Sequence, residues 1–245
     1  MRQELGINLL VYKEKLDQGI KQSTLLKEIK KQGISLAEVR REYIKDQEEL
    51  EAISKSAEEN EMRLYYSVPE KIIEEKLPNK NLRKYLEEAK IMKIQNVKFN
   101  IGSLDQIDQK GAEKLKEILD EYDLTYTIEN DQTKENGTFT CTRKTLEQIH
   151  KYELPVGYTM DLGNWYWQKE DPSTAFKELK SKISIFHLKN IDFKDGKPET
   201  VMLEDGKIEW MDMIGQLDDD VKVFLEYPIK EDEIGNQINT VKKAK

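Results

Sequence analysis

Eight short apolar runs, each followed by a longer amphipathic stretch rich in Lys and Glu, recur along the chain, and few folds accommodate that rhythm. The runs span residues 6–12, 34–40, 63–68, 95–101, 124–129, 156–161, 183–188 and 222–227. Their starts are spaced by about 31 residues on average, the length of one βα unit. Strands that alternate with helices imply a parallel sheet. Eight similar units in 245 residues point to a closed (β/α)8 barrel ahead of an open doubly wound sheet. No Gly-x-Gly-x-x-Gly or Walker loop follows any run, which counts further against a nucleotide-binding open sheet. The intervening stretches carry helix-start signals: Ser23 ahead of Leu25, Leu26 and Ile29, Asp46 with Glu49 three residues on, then Asn81, Asp108 and Thr142, and Asp171 before Pro172. No linker divides the chain, so the expectation is one α/β barrel domain over residues 1–245.

Composition narrows the functions this barrel can serve. Charged residues make up 36% of the chain, against about 25% in an average domain, yet the net charge is −8 and no block of Lys and Arg occurs. Such a chain is a poor reader of nucleic-acid backbones. The lone Cys141 excludes an internal disulfide, a zinc ribbon and an iron–sulfur site, and fits a reducing cytoplasm. No apolar run approaches the roughly 18 residues of a membrane span, and the N-terminus enters a strand-like run without a signal-peptide core. The expected setting is the cytoplasm, with neither membrane nor nucleic acid as partner.

In a (β/α)8 barrel the reacting groups stand at the carboxyl ends of the strands. Four consecutive strands here each end on a side chain that can hold a metal: Glu129 on the fifth, Asp161 on the sixth, His187 on the seventh and Glu226 on the eighth. Strand alternation puts all four in the barrel mouth when Ile128, Met160, Phe186 and Leu225 pack outward against the helices. Three carboxylates and one imidazole form a mostly oxygen donor set, suited to Mn²⁺, Mg²⁺ or Co²⁺, with Zn²⁺ also accommodated. Taken singly, each residue reads more readily as a salt-bridge partner or a helix cap; four in succession favour the metal. His187 must be neutral to ligate, so binding is expected to weaken below about pH 6.

At these residues the chain resembles the xylose-isomerase-like sugar-phosphate isomerase/epimerase superfamily, which shares its barrel with endonuclease IV. The segments that carry the likeness are Ile128-Glu129-Asn130, Asp161-Leu162-Gly163-Asn164, Phe186-His187-Leu188-Lys189 and Leu225-Glu226-Tyr227, with ligand separations of 32, 26 and 39 residues. Ala37-Glu38-Val39-Arg40 resembles the family's Glu-x-Arg strand, and Gly206-Lys207-Ile208-Glu209-Trp210 its entry into the helix after strand seven. The resemblance implies one divalent cation on Glu129, Asp161, His187 and Glu226. It also implies Glu129 and Glu226 as acid and base across an enediolate, and a small carbohydrate as substrate. Two positions depart from the free-ketose epimerases: Asn164 stands where a His is common, and Phe193 where an Arg is frequent. With only His150 and His187 in the chain, the histidine-rich three-metal centre of endonuclease IV is out of reach.

Substrate contacts follow from parity and position. Arg40, Lys98 and Lys189 share the inward parity and could hold a carboxylate or phosphate, while Glu38 either joins them or pairs with Arg40. Asn164 and Trp165 stand three and four residues after Asp161. The Trp165-Tyr166-Trp167 run could stack on a sugar ring, and aromatics of this kind also build homo-oligomer contacts. A dehydratase on the same scaffold and a ligand-binding barrel without turnover are the competing functions. His150, at a helix end, reads as a partner of the helix dipole. Asp218-Asp219-Asp220 reads as solvated charge, and Cys141 lacks an activating partner.

Overall fold

The computed structural model describes residues 2–244. Eight parallel strands close on themselves: β1 (Glu4–Asn8), β2 (Leu36–Arg40), β3 (Arg63–Glu74), β4 (Asn96–Gly102), β5 (Thr125–Glu129), β6 (Gly157–Asp161), β7 (Ile183–Leu188) and β8 (Lys222–Leu225). Each strand pairs with its successor, and β8 pairs with β1 with Leu225 opposite Ile7, which closes the ring. A helix packs outside after every strand, so the architecture is a single (β/α)8 barrel.

The alternation along the strands separates two environments. Ile128, Met160, Phe186 and Leu225 are fully buried in the core between strands and helices. Phe186 meets Phe176 of the helix Pro172–Leu179 edge-to-face, with centroids 6.1 Å apart. Residues one step along point into the barrel. There Leu36, Ile185 and Phe224, with Tyr65 against them, form a small apolar plug. Gly6 belongs to that plug, because a Cβ at this position would lie 2.4 Å from Phe224 Cε1. Above the plug, Thr127 and Thr159 hydroxyls bond at 2.8 Å, and the ligand-type side chains begin one layer higher. Apolar packing thus fills the lower barrel and leaves the upper end polar.

Several boundaries differ from the periodicity. The first strand ends at Asn8 instead of residue 12, because the Asn8 side chain accepts a hydrogen bond from Leu10 N at 2.8 Å and turns the chain into the 3-10 helix Leu9–Tyr12. The third strand runs on to Glu74 and folds back on Leu77–Pro78. After β7 a hairpin, Asn190–Lys194 with Lys197–Val201, precedes the helix Trp210–Ile214. Its base is tied by Asn190, whose Nδ2 donates to Leu203 O and whose Oδ1 accepts from Ile208 N. Gly206 lets that side chain in, since its Cβ would sit 2.1 Å from Asn190 Cγ.

Asp46, Asp108 and Asp171 cap helices as expected, accepting from Glu49, Gly111 and Thr174 amides. Ser23, Asn81 and Thr142 do not cap through their side chains. Ser23 lies inside the helix Gln22–Lys31, Asn81 precedes its helix without a side-chain bond, and Thr138 caps where Thr142 was expected. Among the described residues no helix is long and apolar enough to cross a membrane.

Candidate metal and catalytic site

The four strand-end residues converge. One ligand-capable atom from each of Glu129, Asp161, His187 and Glu226 lies within 4.8 Å of the others, and all four side chains are buried. The convergence follows from the register, which sets Asp161 beside His187 across β6 and β7 and places Glu226 one step beyond the Leu225–Leu188 pair. His187 Nδ1 faces the inside of the cluster, 2.7 Å from Glu129 Oε1 and 3.4 Å from Glu226 Oε2.

Each carboxylate of the cluster has a cation of its own on an oxygen. Lys98 Nζ donates to Glu129 Oε2 at 2.5 Å, Lys189 Nζ to Asp161 Oδ2 at 2.6 Å, and Arg40 Nη1 to Glu226 Oε1 at 3.0 Å. Glu129 Oε1 and Glu226 Oε2 are therefore the oxygens left toward His187. Asp161 is further fixed by its Oδ1, which accepts from the Gly163 and Asn164 amides at 3.0 and 3.1 Å. Asn130 clamps its backbone from both sides, with Nδ2 on Asp161 O and Oδ1 accepting from Asp161 N.

Glu38 lies on the far side of the imidazole. Its Oε2 is 3.0 Å from His187 Nε2, an ion-pair distance but off the line of a well-formed hydrogen bond, and its Oε1 has no partner. Asn8 Nδ2 donates to Glu38 and, at 3.4 Å, to Glu226 Oε1. A carboxylate on Nε2 keeps the Nδ1 lone pair turned into the cluster and raises its basicity, as in carboxylate–histidine–metal arrangements. Glu38 thus stands behind a ligand rather than in the open mouth. Glu38→Gln is expected to weaken Mn²⁺ binding by roughly 10–100-fold; an unchanged dissociation constant in a metal titration would remove Glu38 from that role.

Burial and close charges shape the titration. Burial works against a charged His187, yet Glu38, Glu226 and Glu129 outweigh it and hold the imidazole well above its usual range. Burial pushes the Glu226 carboxyl up, but His187, Lys189 and Arg40 bring it well below the ordinary range. Glu129 is lowered by Lys98 and His187 against the same opposition. Asp161 goes the other way: burial, with Glu226 and Glu129 added, lifts it to about 8 in spite of Lys189. Competition between protons and a cation therefore extends above the pH 6 expected for an ordinary imidazole.

The sign of the resulting pH dependence is fixed. Groups whose pKa is raised on folding stabilise the metal-free protein below their unfolded values, and that stability is lost as pH rises through the folded values. For Asp161 the loss runs from about 4 to about 8, and His187 extends it upward. A cation-loaded site holds both groups deprotonated and does not share the loss. The melting-temperature gap between Mn²⁺-loaded and metal-free protein is expected to widen from pH 6 to 8.5. A gap that narrows over that range in calorimetry contradicts the assignment.

The donor set fits a hard divalent cation: three carboxylates and one imidazole, buried and convergent, with the far imidazole nitrogen backed by a carboxylate. Of the other expected residues, Arg40, Lys98, Lys189 and Glu38 adjoin the cluster through the contacts above. Asn164 lies beside it, its Nδ2 spent on Asn130 O and its buried Oδ1 unpartnered. Trp165 is fully buried and packs on Phe139 of the preceding helix Phe139–Lys151 at 6.4 Å, while Tyr166 and Trp167 are half-buried. Local sequence could not tell which of three adjacent aromatics a helix beginning 26 residues earlier would cover. Burial lifts the Cys141 thiol to about 11, which leaves it inert.

Asn8 and Asn130 are the residues that sequence reasoning passed over. The apolar run continues to residue 12, so periodicity gives no sign of a strand end at Asn8. Its inward parity with Gly6 was the available signal.

No family model matches the sequence, and no curated protein sequence matches it. Solved structures do match in fold. The probable 3-DHS dehydratase AsbF of petrobactin synthesis from Bacillus anthracis superposes with a TM-score of 0.72 at 14% identity, covering 99% of this chain and 100% of that one. The IolI protein with a bound zinc atom gives 0.69 at 16%, covering 98% and 96%. L-ribulose 3-epimerase gives 0.65 at 12%, covering 97% and 86%. At 12–16% identity these likenesses show the same (β/α)8 barrel fold.

Proposed function

We propose that this xylose-isomerase-like barrel is a divalent-metal-dependent isomerase or epimerase of a small sugar, sugar acid or sugar phosphate, with Mn²⁺ as the resident ion. The observation that carries the reading is the convergence of Glu129, Asp161, His187 and Glu226 within 4.8 Å at the carboxyl end of the barrel. Asp161 and His187 would hold a divalent cation, which would supply Lewis acidity to a carbonyl and its adjacent hydroxyl. Glu129 and Glu226 reach the cluster from strands three positions apart, so one can take the proton beside the carbonyl and the other can return one to the opposite face. Lys98 and Arg40 keep these two carboxylates ionised and ready to accept a proton. Asn164 Oδ1 is free to accept from a substrate hydroxyl.

The test begins with metal analysis of protein purified without chelator, followed by a carbohydrate screen with Mn²⁺ in deuterated water. One ion per chain and deuterium at the carbon beside the carbonyl are expected, with exchange abolished by Glu226→Gln in a folded protein. Unchanged exchange in that variant removes Glu226 from the mechanism. The likeness to a dehydratase supports a second reading, in which the same carbanion expels a β-hydroxyl; a product lighter by one water distinguishes it.

A further inference from the structure

We infer that the substrate of this site is an anion, a hydroxylated carboxylate or phosphate, and not a neutral sugar; the inference rests on the metal reading above. The buried charges carry it. Glu38, Glu129, Asp161 and Glu226 bring four negative charges, and Arg40, Lys98 and Lys189 bring three positive ones, all in contact with that set. His187 is neutral when it ligates. With His187 neutral and the carboxylates ionised, as ligation requires, these residues contribute one net negative charge, which a divalent cation would turn into one net positive charge.

A net charge enclosed in a low-dielectric pocket is costly unless a counter-charge joins it. The cations are built in, with Lys98 and Lys189 side chains only 3% and 8% exposed and Arg40 12%. Glu42 also pairs with Arg40, at 2.6 Å, but its side chain is one-third exposed at the rim, where solvent screens it.

Position agrees with charge. Each of the three cations touches a different ligand carboxylate, so a group entering beside the cation meets ammonium or guanidinium donors from three directions. When the cation takes up the carboxylates, those donors lose part of their present partner's charge and are free to bond an incoming oxygen anion. The unpartnered Oδ1 of Asn164, a residue 95% buried beside Asp161, asks for a hydroxyl on the same molecule.

The experiment is calorimetric binding of three probes on one six-carbon skeleton, D-gluconate, sorbitol 6-phosphate and sorbitol, to the Mn²⁺-loaded protein, with bound Mn²⁺ measured before and after. At least one anionic probe is expected to bind ~10-fold or more tightly than sorbitol, and which one tells a carboxylate site from a phosphate site. The preference is expected to fall in Arg40→Gln, with Mn²⁺ stoichiometry kept. Sorbitol binding as tightly as both anions, to a protein that holds its Mn²⁺, overturns the inference and leaves the metal reading standing. A full preference in both Arg40→Gln and Lys98→Met also overturns it. Failure to bind Mn²⁺ at all overturns the two together.

Discussion

Mn²⁺ binding is expected to fall by more than ~100-fold in His187→Gln, beyond the 10–100-fold typical of losing an outer-shell partner. His187 Nδ1 is the one nitrogen in the donor set and sits between Glu129 Oε1 and Glu226 Oε2, so its loss removes a ligand and the element that spaces two others. Gln preserves most of the volume above Phe224, whose ring lies 5.9 Å from the imidazole, which limits the cavity cost. A metal titration with near-ultraviolet circular dichroism as a fold control decides the matter. A folded variant that keeps its Mn²⁺ affinity would show that the carboxylates alone make the site.

The second large effect concerns Lys98. Its ammonium is the direct partner of Glu129 in a part of the barrel closed to solvent. Removing one member of a buried ion pair leaves an uncompensated charge, typically at a cost of about 3–5 kcal/mol. Lys98→Met is expected to lose that much stability in denaturant unfolding of the metal-free protein. Mn²⁺ should then stabilise the variant more than it stabilises the original chain, because the cation restores a positive partner to Glu129 and binds only the folded state. Equal Mn²⁺ stabilisation in both would mean that Glu129 does not ligate.

These two expectations show what the barrel asks of its charged residues. Each carboxylate of the cluster offers one oxygen to the inside of the cluster or to a backbone amide and another to a fixed cation. The pairing holds the carboxylates in place, and a cation entering the cluster would compete with the internal ammonium and guanidinium groups. Burial raises all three carboxyls; Glu129 and Glu226 nevertheless lie low because His187 acts on them together with Lys98 or with Lys189 and Arg40. Asp161 lies high because burial, with Glu226 and Glu129 added, is opposed by Lys189 alone.

Much of this was legible in the residue order. The period of the apolar runs defines the eight βα units, and two-residue alternation decides that Glu129, Asp161, His187 and Glu226 face inward while Ile128, Met160, Phe186 and Leu225 face the helices. These are local properties: backbone geometry imposes them within a strand, whatever lies next to it. The inward parity of Arg40, Lys98 and Lys189 was equally readable.

What the chain order left open depends on contacts between residues far apart in sequence. In sequence Glu38 suits Arg40 or a substrate as partner, and only the closing of β1, β2, β7 and β8 puts its carboxylate behind His187 Nε2. Asn8 joins the site because the strand stops there, and the Trp165 ring is packed against Phe139, 26 residues earlier. Which cation takes which oxygen follows from inter-strand register and from side-chain rotamers in a closed space. Periodicity tells a side chain which way to point; only the folded barrel decides what it meets.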